Sequence, residues 1–374
     1  MKLGRRHVGD YDVIIVGGGP AGSAAAIQLA QRDPALATRT LLIDAATFPR
    51  EKLCGGGVVR EADRLLGFLG VRIDVPTVRI HTIRFAYAGG QAVRRGRHLF
   101  RVVRREDFDH ALLREAEKRG IHVRQGERVS RLERQPDAVR VTAGDTTYRT
   151  RILIGADGAR SLVRRQLVGG RPAKRFVALE VLTGIPGCRS LRAIDGTAVF
   201  DFRLAAIGLR GYYWEFPSIR AGDPLLNRGL GGAVWPADAS LAALFAAHLR
   251  DRGVELASDA LQGATAPLYD PALPQGAERV LLAGDAVGID PWFGEGISIA
   301  IGTGMLAGHA AAEALATGDF SFRDHHRRVR NSGIGWTLRR NRATARAFYR
   351  AARHARGLAP WLGFTPPAER EVVR

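Results

Sequence analysis

The stretch from Tyr11 to Asp44 constrains this chain more than any other. Five strand-forming residues, Asp12-Val13-Ile14-Ile15-Val16, run into Gly17-Gly18-Gly19-Pro20-Ala21-Gly22, and a small-residue helix pattern follows from Ser23 to Gln31. Gly17, Gly19 and Gly22 fit G-x-G-x-x-G. The first glycine permits a tight turn, the second lets the backbone approach a pyrophosphate, and the third lets the helix lie close to the strand. The helix N-terminus then offers free N–H groups to phosphates, with Ala21 in its first turn. A second strand, Thr40 to Ile43, ends in Asp44, placed about twenty residues past the motif to accept hydrogen bonds from a ribose diol. A glycine-rich turn in some other α/β protein would leave Asp44 without a purpose.

Length and composition narrow the class. The 374 residues allow two or three domains or one large composite, and 46% hydrophobic residues supply a sizeable core. No run of about eighteen apolar residues is free of charge, so no spanning helix is expected. Met1 to Asp10 is basic without an apolar run, so no signal peptide is expected. Cys54 and Cys188 lie far apart, which fits a reducing cytoplasm better than a disulfide framework. Net charge is +19, carried almost wholly by arginine. A basic surface suits an anionic lipid surface, or a solvated face with no partner. Nucleic acid is not expected, because no reading motif or aromatic platform accompanies the charge.

Further along, Ala45 to Gly57 is a loop, Val58 to Leu69 a helix pattern, and Pro76 to Val93 strands turning at Gly89-Gly90. Phe108, Leu112, Leu113 and Ala116 mark an amphipathic helix over 104–119. Strands are expected at Ile121–Val123, Val139–Ala143 and Arg151–Ile154, the last leading into Gly155-Ala156-Asp157-Gly158. Residues 173–230 read mostly as strands and 239–251 as a helix. Val280 to Ala283 then leads into Gly284-Asp285, and Asp290-Pro291-Trp292-Phe293-Gly294-Glu295-Gly296 precedes a small-residue helix over 297–316. From Ser321 the chain carries thirteen arginines against three acidic residues. That segment reads as basic helices with apolar faces, including Trp336, Phe348, Tyr349, Trp361 and Phe364, then a Pro-rich tail.

Taken together, the Gly17–Gly22 turn with Asp44, the Gly155–Gly158 turn and the Gly284-Asp285 turn resemble the FAD-dependent oxidoreductases built like para-hydroxybenzoate hydroxylase, over about Tyr11 to Ala316. The resemblance implies an α/β fold: a Rossmann-like FAD-binding domain (8–75, 100–170, 277–320), an interleaved antiparallel-sheet substrate domain (76–99, 171–276) and a basic C-terminal helical segment (321–374). It implies FAD as cofactor, no metal, Asp285 on the ribityl or ribose hydroxyls, Arg105 on the pyrophosphate, and Asp157 as nucleotide contact or turn cap. Gly284 and Val129 complete that set. Free N–H groups at Gly294, Gly296 and Ile297 would stabilise negative charge on a reduced flavin.

Two stretches resemble the geranylgeranyl reductases. One is Arg50-Glu51-Lys52-Leu53-Cys54-Gly55-Gly56-Gly57; the other, Tyr212-Tyr213-Trp214-Glu215-Phe216-Pro217, is similar to their Tyr-x-Trp-x-Phe-Pro motif. Alternate residues of a strand share a face, so Tyr212, Trp214 and Phe216 line one side of an apolar groove, and Pro217 is expected with them among the substrate-binding residues. The Asp-Pro-Trp-Phe-Gly-Glu-Gly turn is bulkier than the Thr-Gly-Glu-Gly of the chlorophyll and archaeal-lipid enzymes. The expectation is a reductase that saturates alkenes of an isoprenoid or similar hydrophobic substrate, with Cys54, or secondarily Tyr212, as proton donor, and NADPH or a ferredoxin as electron source. A flavin monooxygenase of an aromatic or apolar substrate shares the fold and would consume oxygen. A halogenase is disfavoured by the lack of Trp-x-Trp-x-Ile-Pro, and a colourless protein would indicate non-catalytic lipid or nucleic-acid binding. Peripheral contact with the inner face of a membrane, through Ser321–Arg356 with Trp336 and Phe348 as anchors, is the expected partner surface.

Overall fold

A computed structural model of the chain describes residues 6–185, 194–235, 240–255 and 261–352. The strand expected at Asp12–Val16 is β1 (Arg6–Val16), which pairs in parallel with β2 (Thr40–Ile43) on one side and β9 (Thr146–Gly155) on the other. The same parallel sheet continues to β6 (His122–Arg124) beyond β2 and to β16 (Val280–Leu282) beyond β9. A two-residue strand, β15 (Gly276–Ala277), closes one edge, and the hairpin β7 (Val129–Arg134) with β8 (Val139–Ala143) extends β9 antiparallel. Val13, Ile14 and Ile15 are fully buried, as parallel strands covered on both faces require.

Helix α1 (Pro20–Arg32) leaves the glycine turn and packs along α5 (Ile297–Thr317). The close approach is made by glycine: a Cβ on Gly304 would lie 2.2 Å from the Ala21 carbonyl oxygen, and one on Gly308 2.5 Å from that of Ala25. Helix α3 (Arg105–Lys118) buries Phe108, Leu112, Leu113 and Ala116, the face its periodicity predicts.

The second sheet has the order β14-β10-β13-β12-β11-β4-β5-β3. Its strands are β3 (Gly57–Val59), β4 (Thr77–Tyr87), β5 (Gly90–Val103), β10 (Arg175–Gly184), β11 (Thr197–Asp201), β12 (Gly211–Arg220), β13 (Asp223–Gly232) and β14 (Gln262–Pro267). All neighbours are antiparallel except β11 and β4. One face of the sheet lies toward the first sheet; the other is covered by α4 (Leu241–Arg250), whose Phe245 and Leu249 pack with Tyr213 and Leu230.

Several expectations are corrected. The hairpin after Pro76 is longer than read, because β5 runs on to Val103, and Phe100–Val103 therefore belong to the second sheet. So does β3, which pairs with the end of β5 where a helix start was expected at Val58. Three residues are too few to show a period of two, and α2 (Arg60–Phe68) follows at once. Helix α5 is long and apolar enough to cross a membrane by length and composition. Its small residues are buried against α1, so here that composition serves a core helix. The basic segment forms α6 (His325–Asn331) and α7 (Gly333–Ala352). Phe348, expected as a surface anchor, is fully buried against Phe202 and Trp292. Trp361, Phe364, the Pro-rich tail and Cys188 lie outside the described residues.

Candidate active site

A single cavity of about 1790 Å3 runs between the two sheets. Drug-sized ligands occupy about 300–1,000 Å3, so this space admits a large cofactor and a substrate together. Gly17, Gly19, Ala21, Asp44, Val129, Asp157, Gly284, Asp285, Gly294, Gly296 and Ile297 line it, with Cys54, Arg105, Tyr212, Trp214 and Phe216. Gly22 and Pro217 do not. A Cβ on Gly22 would sit 1.8 Å from the Gly17 carbonyl oxygen, so Gly22 shapes the turn from behind. Pro217 follows Phe216 and so falls on the opposite side of β12.

The phosphate end is built from the first motif. Gly17 has φ +106°, and a Cβ there would lie 2.2 Å from the Ala156 carbonyl oxygen, so the turn and the Gly155–Gly158 loop interlock. A Cβ on Gly19 would meet only Arg50, at 3.4 Å, and otherwise open space. That is the gap a pyrophosphate needs. Asp44 braces the cradle: its carboxylate accepts the Gly18 N–H at 2.6 Å and the Ala46 N–H at 2.7 Å. Asp157 accepts from Leu162 and Val163 N–H through Oδ2, while Oδ1 is buried without a partner. Burial pushes its pKa up, against the pull of Ser161 and those N–H groups. The turn-cap role is thus formed in the chain, and Oδ1 remains for a hydroxyl donor.

Arg105 is held by Asp109 through two bonds of 2.7 Å. Burial works against its charge, but Asp109 and the neighbouring Cys54 raise its pKa above the ordinary value. Its guanidinium is therefore a fixed cation beside the thiol. The cation nearest the Gly19 gap is Arg50. It stacks on Phe48 with 4.7 Å to the ring centre, reaches Asp109 at 3.0 Å, and leaves Nη1 buried without a partner. Sequence reasoning took Arg50 only as part of the cysteine loop; nothing local in sequence marks a loop arginine that folds back onto a distant turn.

At the other end, Gly296 caps α5, and Ile297 opens it toward the cavity. Glu295 accepts from Ser298 N–H and Oγ, both at 2.7 Å, which fixes the helix start. Burial, aided by Asp290, pushes its pKa up to about 7 against Ser298. Lys52 from the cysteine loop lies 3.9 Å from Asp285. Tyr212 donates its O–H to the Phe293 carbonyl at 2.5 Å, and burial, with Tyr349 and Asp290 adding to it, drives its pKa well above the usual phenol range. That proton is committed, so Tyr212 ties the aromatic strand to the turn before α5.

The aromatic residues alternate as read. Tyr212, Trp214 and Phe216 face the cavity, joined by Phe85, Phe100, Phe200 and Phe293. Tyr213 and Glu215 face α4 instead. Trp214 lies flat on Gly229, where a Cβ would be only 2.0 Å from the indole, and donates Nε1–H to Asn227 at 2.8 Å. The cysteine loop rests on this wall: a Cβ on Gly55 would touch Phe216 and Trp214 at 3.1 Å. Cys54, half-buried, is the free cysteine among the described residues, and its sulfur accepts the Gly56 N–H at 3.4 Å.

Comparison with known proteins agrees with an FAD-binding fold. A family model described as FAD binding domain matches residues 10–192. A menaquinone reductase of Mycolicibacterium smegmatis is 32% identical over 331 residues, 82% of this chain and 76% of that protein. A geranylgeranyl diphosphate reductase of Rhodobacter capsulatus is 28% identical over 333 residues, 82% of this chain and 76% of that one. Among solved structures, a geranylgeranyl bacteriochlorophyll reductase-like protein of Thermoplasma acidophilum superposes with a TM-score of 0.72 at 21% identity, covering 92% of this chain and 90% of the other.

Proposed function

This chain belongs to the FAD-dependent oxidoreductases of the para-hydroxybenzoate hydroxylase-like superfamily, in the geranylgeranyl reductase subfamily, and from that premise we propose that it reduces carbon–carbon double bonds of an isoprenoid or similar hydrophobic chain. The observation that carries the reading is the continuity of one cavity, with a nucleotide cradle at one end and an aromatic wall under Cys54 at the other. FAD fits the cradle: Gly19 opens onto space beside the Arg50 guanidinium, whose Nη1 has no partner, and Asp157 and Asp285 offer carboxylates to hydroxyl groups.

When bound and reduced, the flavin supplies a hydride. An isolated alkene is a poor hydride acceptor, so the second carbon must gain a proton as the first gains the hydride. On this reading Cys54 gives it: the S–H bond breaks, a C–H bond forms, and the thiolate left behind is stabilised by the Arg105 guanidinium. Tyr212, Trp214 and Phe216 hold the chain and exclude water from it. The Gly296–Ile297 end of α5 presents N–H groups where anionic charge is favoured.

The same reading brings the protein to a lipid surface, where such substrates reside. Phe68 on α2 and Trp336 on α7 are 60% and 55% exposed, and Arg64 and Arg340 lie over their rings. Arg64, Trp336 and Arg340 also line the cavity, so this basic, aromatic rim surrounds an opening.

The test is anaerobic: reduce the bound flavin, then add prenyl compounds or air. Reoxidation by a prenyl alkene with formation of the saturated product is expected, and Cys54→Ala is expected to abolish it with FAD content unchanged. Reoxidation by oxygen alone, with a hydroxylated product, would instead establish a monooxygenase.

A further inference from the structure

The turn before α5 carries polar atoms that hydride transfer and proton donation by Cys54 do not use. It is also the turn whose bulk sets this sequence apart, with Trp292 and Phe293 standing before Gly294. Its backbone is well fixed. Asp290 Oδ2 accepts the Phe293 N–H at 2.8 Å, the Asp290 N–H is donated to the Glu295 carbonyl at 2.9 Å, and the Gly294 N–H is donated to the Asp290 carbonyl at 3.2 Å. The Tyr212 hydroxyl fastens the turn to the aromatic strand through the Phe293 carbonyl.

Within this fixed turn, side-chain atoms are left over. Asp290 is 2% exposed, and its Oδ1 is buried without a partner. The indole Nε1–H of Trp292 is buried without a partner as well. Both residues line the cavity. The Trp292 ring stands among the aromatic rings, with centroids 4.6 Å from Phe293 and 6.1 Å from Phe348. One left-over atom is a carboxylate acceptor and the other a donor, carried by side chains of the same turn. Buried polar atoms are unfavourable unless paired, so the two together call for a group that donates and accepts at once. A hydroxyl does both, whereas a carbonyl or an ether only accepts and an ammonium only donates. Burial raises the pKa of Asp290 against the Phe293 N–H, Asn341 on α7, the Trp292 N–H and Arg340. A hydroxyl on Oδ1 would join the groups that favour its charge.

We propose that Asp290 and Trp292 form a subsite for a hydroxyl group, which donates to Asp290 Oδ1 and accepts from Trp292 Nε1–H. Placing that hydroxyl on an isoprenoid alcohol rests on the reductase reading; the subsite itself does not. Its effect is on specificity. A chain that presents only methyl groups at this turn leaves both atoms unpaired, and binding discriminates against it.

Calorimetric titration of the oxidised, FAD-loaded protein tests this without turnover, with farnesol, farnesyl methyl ether and farnesal as probes. It is run at about pH 8, which favours the charged carboxylate. Farnesol is expected to bind at least about ten-fold tighter than the ether or the aldehyde. Asp290→Asn keeps an oxygen for the Phe293 N–H and turns the unpaired acceptor into a donor. It is expected to erase the preference, the aldehyde gaining as the alcohol loses, with FAD content unchanged. Trp292→Phe is expected to weaken all the probes and keep the alcohol ahead. Equal affinities in the wild-type protein, or no binding of any probe, would overturn the proposal, whatever the variants do. Preference for the alcohol in a protein that reduces no alkene would keep the subsite and remove the reductase reading; alkene reduction without the preference would do the reverse.

Discussion

Gly19 and Gly22 stand three residues apart, and the same substitution has opposite meanings at each. At Gly22 a methyl group would collide with backbone at 1.8 Å, so Gly22→Ala is expected to disrupt the turn and lower both folding yield and melting temperature. At Gly19 the methyl group meets only the end of Arg50. Gly19→Ala is therefore expected to melt like the wild type but purify with less FAD, read as the ratio of flavin to protein absorbance. Asp44→Ala belongs with Gly22: it removes two backbone bonds, at about 1.5–3 kcal/mol for each charged hydrogen bond. On β12, Trp214 is wall and core at once. Trp214→Ala is expected to cost roughly 3–5 kcal/mol of stability, the usual range for a truncated buried aromatic, whereas Trp214→Phe keeps the packing on Gly229 and loses only the bond to Asn227. Glu215 is not a silent neighbour: it accepts the Tyr213 hydroxyl at 2.6 Å and pairs with Arg252 at 3.1 Å, so Glu215→Gln is expected to lower melting temperature without touching substrate KM. Sequence alone made the alternation of these rings legible, because period two needs no tertiary knowledge. It hid Arg50, whose partner Asp109 lies far along the chain and meets it only after folding.

At the scale of elements, what was legible was what a period reveals. Helices α1, α3 and α5 and strand β1 carry long, regular patterns and stand where they were read. Strands β3 and β15 are too short to show one. Helix α7 looked amphipathic enough to lie on a surface, yet its apolar side, Ile334, Leu338 and Phe348, is already used inside the molecule. Helix α6 makes a further prediction. His325 is buried with both ring nitrogens unpartnered. Burial, with Arg328 and His326 adding to it, lowers its pKa from 6.5 to about 4. A pKa lower in the folded than in the unfolded chain means the fold favours the neutral ring. Its contribution is whole above pH 6.5 and is lost as pH falls toward 4. His325→Leu is expected to flatten melting temperature against pH in that window, measured by calorimetry.

At the scale of the molecule, the +19 charge matters only where it is displayed. The rim of Phe68, Trp336, Arg64 and Arg340 is expected to bind anionic vesicles at low salt. Each arginine near the surface contributes on the order of 1 kcal/mol, screened as salt rises. Flotation with vesicles containing phosphatidylglycerol checks this, and Trp336→Ala with Phe68→Ala is expected to abolish flotation while FAD content stays. The seam between α1 and α5 reaches further. The glycine cradle is formed by residues near the start of the chain, yet the surface that seals its helix, Gly304 and Gly308, is made nearly three hundred residues later. During synthesis Ala21 and Ala25 lack these partners until α5 is made, so cofactor capture is expected only after that helix emerges. A ribosome stalled before α5 would display an unsealed cradle, and a colourless nascent chain would turn yellow only once that helix had emerged.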